Sequence, residues 1–128
     1  MVEKISFFLW ILVPIDKFKE RMHSHKFIKL VSVDSNNKVN GFMFAEIGFV
    51  GGDLTRRRKL MHIHELGIDS SNRGTGFGTE LMNEAKKIAR SKNCEEIILS
   101  VWAFNKNAID FYIKNNLEVQ TLRMEFKL

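Results

Sequence analysis

Ile68-Asp69-Ser70-Ser71-Asn72-Arg73-Gly74-Thr75-Gly76-Phe77-Gly78-Thr79-Glu80-Leu81 is the stretch on which the fold turns. The apolar, strand-like run Leu60 to Ile68 (LMHIHELGI) ends at its front, and an amphipathic helix begins within its glycines. Three glycines at alternate positions lack a Cβ, so the chain can take positive φ and a ligand can come close to the backbone. A helix's first turn carries N–H groups without intrahelical partners and the positive end of the macrodipole. Strand, glycine loop and helix N-terminus together predict an anion seat, most naturally for phosphate.

Downstream of the seat the apolar period is helical, with Phe77, Leu81, Ala85 and Ile88 on one face. Glu80 and Glu84 come early and Lys86, Lys87 and Arg90 late, as the dipole prefers. Asn93 suits a left-handed C-terminal position. Ile97 to Trp102 (IILSVW) reads as a strand buried on both faces, so strand, helix and strand form a right-handed crossover between parallel strands. Asn105 is placed to cap a second helix, which Asn115-Asn116 ends. From Leu117 the pattern is strand-like, with Leu122, Met124, Phe126 and Leu128 alternating with Arg123, Glu125 and Lys127.

Upstream, Lys26 to Val33 and Val39 to Val50 read as an antiparallel hairpin turning at Asp34-Ser35-Asn36-Asn37. Gly51-Gly52-Asp53 opens a second hairpin loop that also holds Arg56-Arg57-Arg58-Lys59. Asp16 to Met22 reads as a short polar helix. The run Ile5 to Ile15 is too short to span a bilayer and lacks a signal peptide's cleavage signature, so it reads as core. The expectation is one domain over residues 1–128, of α/β (α+β mixed sheet) class, antiparallel at its front and parallel at its centre, with flanking helices. One cysteine among 128 residues fits a reducing, cytoplasmic setting and offers no metal-site spacing, so no metal and no membrane partner are expected. The net charge of +5 biases the chain toward anionic partners.

Three glycine-loop chemistries compete. A Walker A loop requires Gly-Lys-Ser/Thr, and Gly78-Thr79-Glu80 lacks the lysine. A dinucleotide fingerprint requires G-x-G-x-x-G, whereas these glycines stand at 74, 76 and 78. Arg73-x-x-Gly76-x-Gly78 between strand and helix resembles the acetyl-CoA pyrophosphate loop of the GNAT superfamily of N-acetyltransferases. Asn105-x-x-Ala108-Ile109-x-Phe111-Tyr112 resembles that family's second motif, and the element order from about Val39 onward is similar too.

The resemblance implies a GNAT-like acyl-CoA N-acyltransferase fold. Its two parallel strands, here Leu60–Ile68 and Ile97–Trp102, splay like a V, and the pantetheine arm of acetyl-CoA adds to the first strand's edge. Cofactor contacts are then expected from Leu66, Gly67, Ile68, Arg73, Gly74, Thr75, Gly76, Phe77, Gly78, Thr79, Asn105 and Tyr112. Gly67 reads as a bulge or a close backbone approach, or more plainly as a residue packed under a large neighbour. In the family such a bulge starts the splay. Asn105 serves as cap, as pantetheine ligand or as both. The family's first strand is absent or shortened here, which bears on the acceptor pocket. An exposed sheet edge also invites a homodimer.

The implied chemistry is direct attack of an amine on the thioester. An alkylamine with pKa ~10.4 must lose a proton, which makes Glu65 the first candidate base, with His64 and His62 next. Strict alternation forbids Glu65 from sharing a face with both histidines. A backbone N–H near Leu66 to Ile68 suits the oxyanion, and Tyr112 is the candidate acid for the leaving thiolate. The acceptor is an amine on a small molecule or a peptide. From another class, Arg56 to Lys59 offers a nucleic-acid-binding module, although no stacking aromatics are interleaved. An acyl-CoA-binding protein without turnover is the third reading.

Overall fold

The computed structural model describes residues 27–69, 74 and 76–128. The readings made for Ile5 to Ile15, the Asp16–Met22 helix, Lys26, Arg73 and Thr75 lie outside these residues. In chain order the elements are β1 (Phe27–Val33), β2 (Val39–Val50), β3 (Arg58–Ile68), α1 (Phe77–Ser91), β4 (Glu96–Ile98) and α2 (Lys106–Lys114). The strands lie in the order β1-β2-β3-β4, antiparallel except for the last pair. This is the expected mixed sheet.

Turn chemistry fixes the first hairpin. Asp34 Oδ1 accepts from Asn36 N at 2.9 Å and Lys38 N at 3.0 Å, and Asn37 takes φ 62°. A short acidic side chain thus stands in for backbone acceptors while asparagine tolerates the left-handed region. In the second hairpin the loop is shorter than expected, because Arg58 and Lys59 already belong to β3.

Helix α1 covers one sheet face. Leu81, Met82, Ala85 and Ala89 pack on Leu30, Met43, Ala45, Met61 and Ile63. Phe77 and Ile88, expected on that face, are only half-buried, and Gly78 is buried instead. A full heptad of buried positions rotates the contact stripe toward Met82 and Ala89. Each fully buried Leu or Met stabilises by roughly 1.5–3 kcal/mol relative to exposure.

Both helices end in the same way. At α1, Asn93 (φ 60°) lets its own N–H bond to Arg90 O and lets Cys94 N reach Ala89 O. At α2, Asn116 (φ 69°) lets its N–H bond to Ile113 O and lets Leu117 N reach Tyr112 O. These paired bonds are Schellman closures, with asparagine where glycine is commoner.

Two expected strands fall short. The Ile97–Trp102 run stays in the sheet only through Ile98, and Trp102 is 76% exposed. Its partner β3 continues, but the two strands diverge, so the later residues have no ladder to join. Residues 117–128 form no strand, since none of the sheet's four strands pairs with them.

Candidate functional site

The site is built where β3 and β4 part. Their parallel register runs from Leu60↔Glu96 through His62↔Ile98 and stops. Strand β3 runs on to Ile68, held on its other side by β2 through Leu66↔Met43, Gly67↔Phe42 and Ile68↔Gly41. Asp69 N then donates to Asn40 O at 2.7 Å, which carries β3's alignment to the mouth of the glycine loop. Beyond His62 the edge of β3 away from β2 has no strand partner among the described residues. That is an edge to which an extended ligand can add.

The irregularity that accompanies the splay is at His64, not at Gly67. Phe44 faces Glu65 while Ala45 faces Ile63, so His64 is an extra residue in β3. Gly67 stays in register opposite Phe42. A bulge adds one residue and inverts the alternation beyond it. Glu65 therefore lies on the same face as His62 and His64, against the expectation from strict alternation. This face is opposite the one α1 covers, because Glu65 faces Phe44 whereas α1 packs on Met43 and Ala45.

Glu46, from the neighbouring strand, joins the group. Its Oε1 lies 3.1 Å from His64 Nε2, and the His62 and His64 rings are 4.3 Å apart. Burial lowers the His62 pKa, and the nearby His64 charge lowers it further. His62 is thus biased toward its neutral form. Glu46 was missed in the sequence because its role depends on the β2–β3 register, which spacing along the chain does not reveal.

The glycine loop enters α1 through Gly76, the N-cap, at φ 92° and with no side-chain cap bond. Gly74 has φ 80°. A Cβ at either glycine would meet nothing within 4 Å. Both are required by backbone conformation, and they leave the backbone open to a ligand. Glu80 N donates to Gly76 O at 3.0 Å, so the N–H groups of Phe77, Gly78 and Thr79 precede the helix's first closed turn. This arrangement fits an anionic pyrophosphate.

Gly78 has a different reason. A Cβ there would stand 2.9 Å from Cε1 and Cζ of Phe111. The glycine loop and the second motif are therefore in contact, through Phe111's ring on α1's first turn. Tyr112, beside it, packs against the α1-side core, with its ring 5.3 Å from that of Phe111. Burial raises the phenol's pKa, which keeps it protonated as a donor. Asn105 caps α2, its Oδ1 accepting from Ala108 N at 3.2 Å. Glu65 and Tyr112 belong to different sides of the opening, Glu65 on the sheet face away from α1 and Tyr112 on the α1-side core.

The basic hairpin is engaged elsewhere. Arg56 pairs with Glu95 at 2.7 Å, Arg58 pairs with Glu96, and Arg57 lies 4.5 Å over the Phe49 ring with Lys59 at 6.0 Å. Its cations thus tie the loop to Glu95 just ahead of β4, the start of β3 to Glu96 within β4, and both to Phe49. That argues against a phosphate-reading surface. Among the described residues no group of side chains is arranged to hold a metal ion, and no helix is long and apolar enough to cross a membrane.

The profile of the acetyltransferase (GNAT) family matches residues 6–116. The chain belongs to the GNAT family. An uncharacterised N-acetyltransferase of Methanocaldococcus jannaschii is 32% identical over 83 residues, covering 65% of this chain and 36% of that protein. Glucosamine 6-phosphate N-acetyltransferase of Trypanosoma brucei brucei is 31% identical over 71 residues, covering 56% of this chain and 46% of that protein. The chain therefore spans less than half the length of these two curated relatives. Among solved structures, the BH1408 protein of Bacillus halodurans superposes with a TM-score of 0.86 at 24% identity, covering 91% of this chain and 75% of that one. The aminoglycoside 6'-N-acetyltransferase AAC(6')-Ih of Acinetobacter baumannii gives 0.76 at 13% identity, covering 93% and 85%. At these identities the solved structures establish the fold, and the GNAT profile establishes the family.

Proposed function

We propose that this GNAT chain is an N-acetyltransferase that moves the acetyl group of acetyl-CoA directly to a primary amine within a ternary complex. The observation that carries the reading is the course of β3. It leaves its parallel partner after His62, runs on to Ile68 with no described strand along that edge, and leads toward an open glycine loop that starts a helix. One edge and one helix N-terminus suit the two halves of an acyl-CoA, the amide-bearing arm and the pyrophosphate.

Acetyl-CoA supplies the activated thioester. The backbone of Leu66, Gly67 and Ile68 aligns its arm and offers an N–H to the oxyanion. Arg73 to Thr79 hold the pyrophosphate, with Gly74 and Gly76 providing the necessary φ. Glu65 takes the amine's proton, directly or through water, on the sheet face it shares with His62 and His64. Tyr112 donates to the departing thiolate. Asn105 holds α2 in place so that Tyr112 is presented.

The acceptor is an amine on a small molecule or a peptide. Sugar-amine acceptors are supported by relatives whose names specify glucosamine 6-phosphate or an aminoglycoside. Initial-rate kinetics test the ternary complex. Varying acetyl-CoA at several fixed amine concentrations should give intersecting double-reciprocal lines. Parallel lines, with acetyl-enzyme trapped in the absence of amine, would instead establish a covalent ping-pong route.

A further inference from the structure

The sheet face that carries Glu65 also carries an aromatic pair on the far side of the opening. His62 pairs with Ile98 and lies away from α1, because Met61 and Ile63 on either side of it pack in the core under that helix. Residues in register across a ladder share a face, so Ile98 lies away from α1 as well, while its neighbours Ile97 and Leu99 pack toward the α1-side core. From Ile98 to Trp102 the chain makes no turn or bend. Alternation therefore brings Trp102 to the face of Ile98, and so to that of Glu65. At ~3.3 Å per residue Trp102 lies ~13 Å past the last rung of the ladder and Glu65 ~10 Å past it. The two flank the opening at similar heights.

Trp102 is 76% exposed and Phe104 79%, with their rings stacked at 5.8 Å between centroids. Asn105 N donates to Trp102 O at 2.9 Å and Lys106 N to Phe104 O at 3.0 Å, just where Asn105 caps α2. A closed turn thus holds two large rings out in water, the mark of a binding surface. The pyrophosphate seat belongs to α1, which covers the other sheet face, so the rings are presented to the acceptor rather than to the coenzyme's adenine. The carboxylates of Glu46 and Glu65 on the same face favour a ligand that arrives as an ammonium ion. An aromatic face favours a flat, apolar ring face. We infer that Trp102, backed by Phe104, is the wall of the acceptor subsite, and that the acceptor is a primary amine carried on a ring with such a face, aryl or pyranose. This rests on the N-acetyltransferase reading and adds a substrate class to it.

The test compares matched amines on the whole chain, phenethylamine against ethylamine and glucosamine against ethanolamine. Wild type should favour the ring-bearing amine in at least one pair by kcat/KM, and the pair that shows it identifies the ring as aryl or pyranose. Trp102→Ala should lower that preference about threefold to tenfold, and Trp102→Phe should keep most of it. The KM for acetyl-CoA should not move in either variant. Trp102 is exposed, so melting temperature should stay at the wild-type value. Tryptophan emission supplies a readout independent of turnover. The favoured ring-bearing amine should change the emission of wild type but not that of Trp102→Phe, and its matched partner should change neither. Absence of thiol release with every amine would overturn the acetyltransferase reading, and the emission change would still decide whether a ring docks on Trp102. No ring preference in either pair, a preference that survives Trp102→Ala, a raised KM for acetyl-CoA, or no emission change with either ring-bearing amine would each overturn the inference.

Discussion

Glu65 and His62 lie on the same face of the sheet although three positions separate them along β3. The extra residue at His64 causes this, since Phe44 faces Glu65 while Ala45 faces Ile63. Without the bulge Glu65 would point into the core under α1. With it, a carboxylate and two imidazoles stand together on the sheet face away from α1.

If Glu65 is the proton acceptor, Glu65→Gln should lower kcat by about 10²–10⁴-fold with a small change in the KM for acetyl-CoA. His64→Ala should cost less, because the Glu46–His64 pair borders the group. Steady-state kinetics over a pH range checks this. A Glu65→Gln enzyme with full kcat at every pH would transfer the role to His62 or to water.

The pH dependence of stability should carry the mark of His62. Its folded-state pKa lies below the ordinary value near 6.5, so the unfolded chain binds the proton more readily. The associated stability is present above pH ~6.5 and is lost as pH falls through the folded-state value. Urea titrations of wild type and His62→Gln on both sides of pH ~6.5 measure it. The variant should show a shallower decline.

Gly76 should be intolerant of a side chain for conformational reasons alone. At φ 92°, with open space around it, Gly76→Ala introduces backbone strain of about 1–2 kcal/mol and no clash. The strain falls on the loop that would hold the pyrophosphate. Calorimetry should show weaker binding of coenzyme A and unchanged binding of a pantetheine fragment that lacks the pyrophosphate.

Gly41 is constrained by space. A Cβ there would stand 2.6 Å from Ile68 Cδ1, 2.7 Å from Ser32 Oγ and 3.2 Å from Gly67 O. Part of that obstruction is backbone, so it cannot simply rotate away. Gly41→Ala should destabilise by about 1–3 kcal/mol in denaturant unfolding and displace the end of β3.

Much of this arrangement could be read from the sequence. Strand-like runs on either side of a turn cluster marked β1, β2 and the first hairpin, and Phe77 began a helix as the change of period predicts. The glycine loop and Asn105 to Tyr112 pointed to the family, because each motif fixes a local backbone conformation. What escaped depends on pairing between strands. The bulge at His64 exists only relative to Phe44 and Ala45, so alternation placed Glu65 on the wrong face. The run Ile97 to Trp102 is apolar enough for a full buried strand, but β3 diverges from it after His62, and composition does not encode that divergence. Residues 117–128 have a strand's pattern, yet none of the four strands of the sheet accepts them.

Acetyl transfer at the opening between β3 and β4 is the central claim. Thiol release from acetyl-CoA, measured across a panel of primary amines for wild type and Tyr112→Phe, tests it most directly. The expected result is amine-dependent release by wild type and a kcat lower by about 10²-fold or more in Tyr112→Phe, without a matching rise in KM. Tight coenzyme binding with no release for any amine would contradict transfer and leave a coenzyme-binding protein. An absence of both coenzyme binding and thiol release would contradict the site itself.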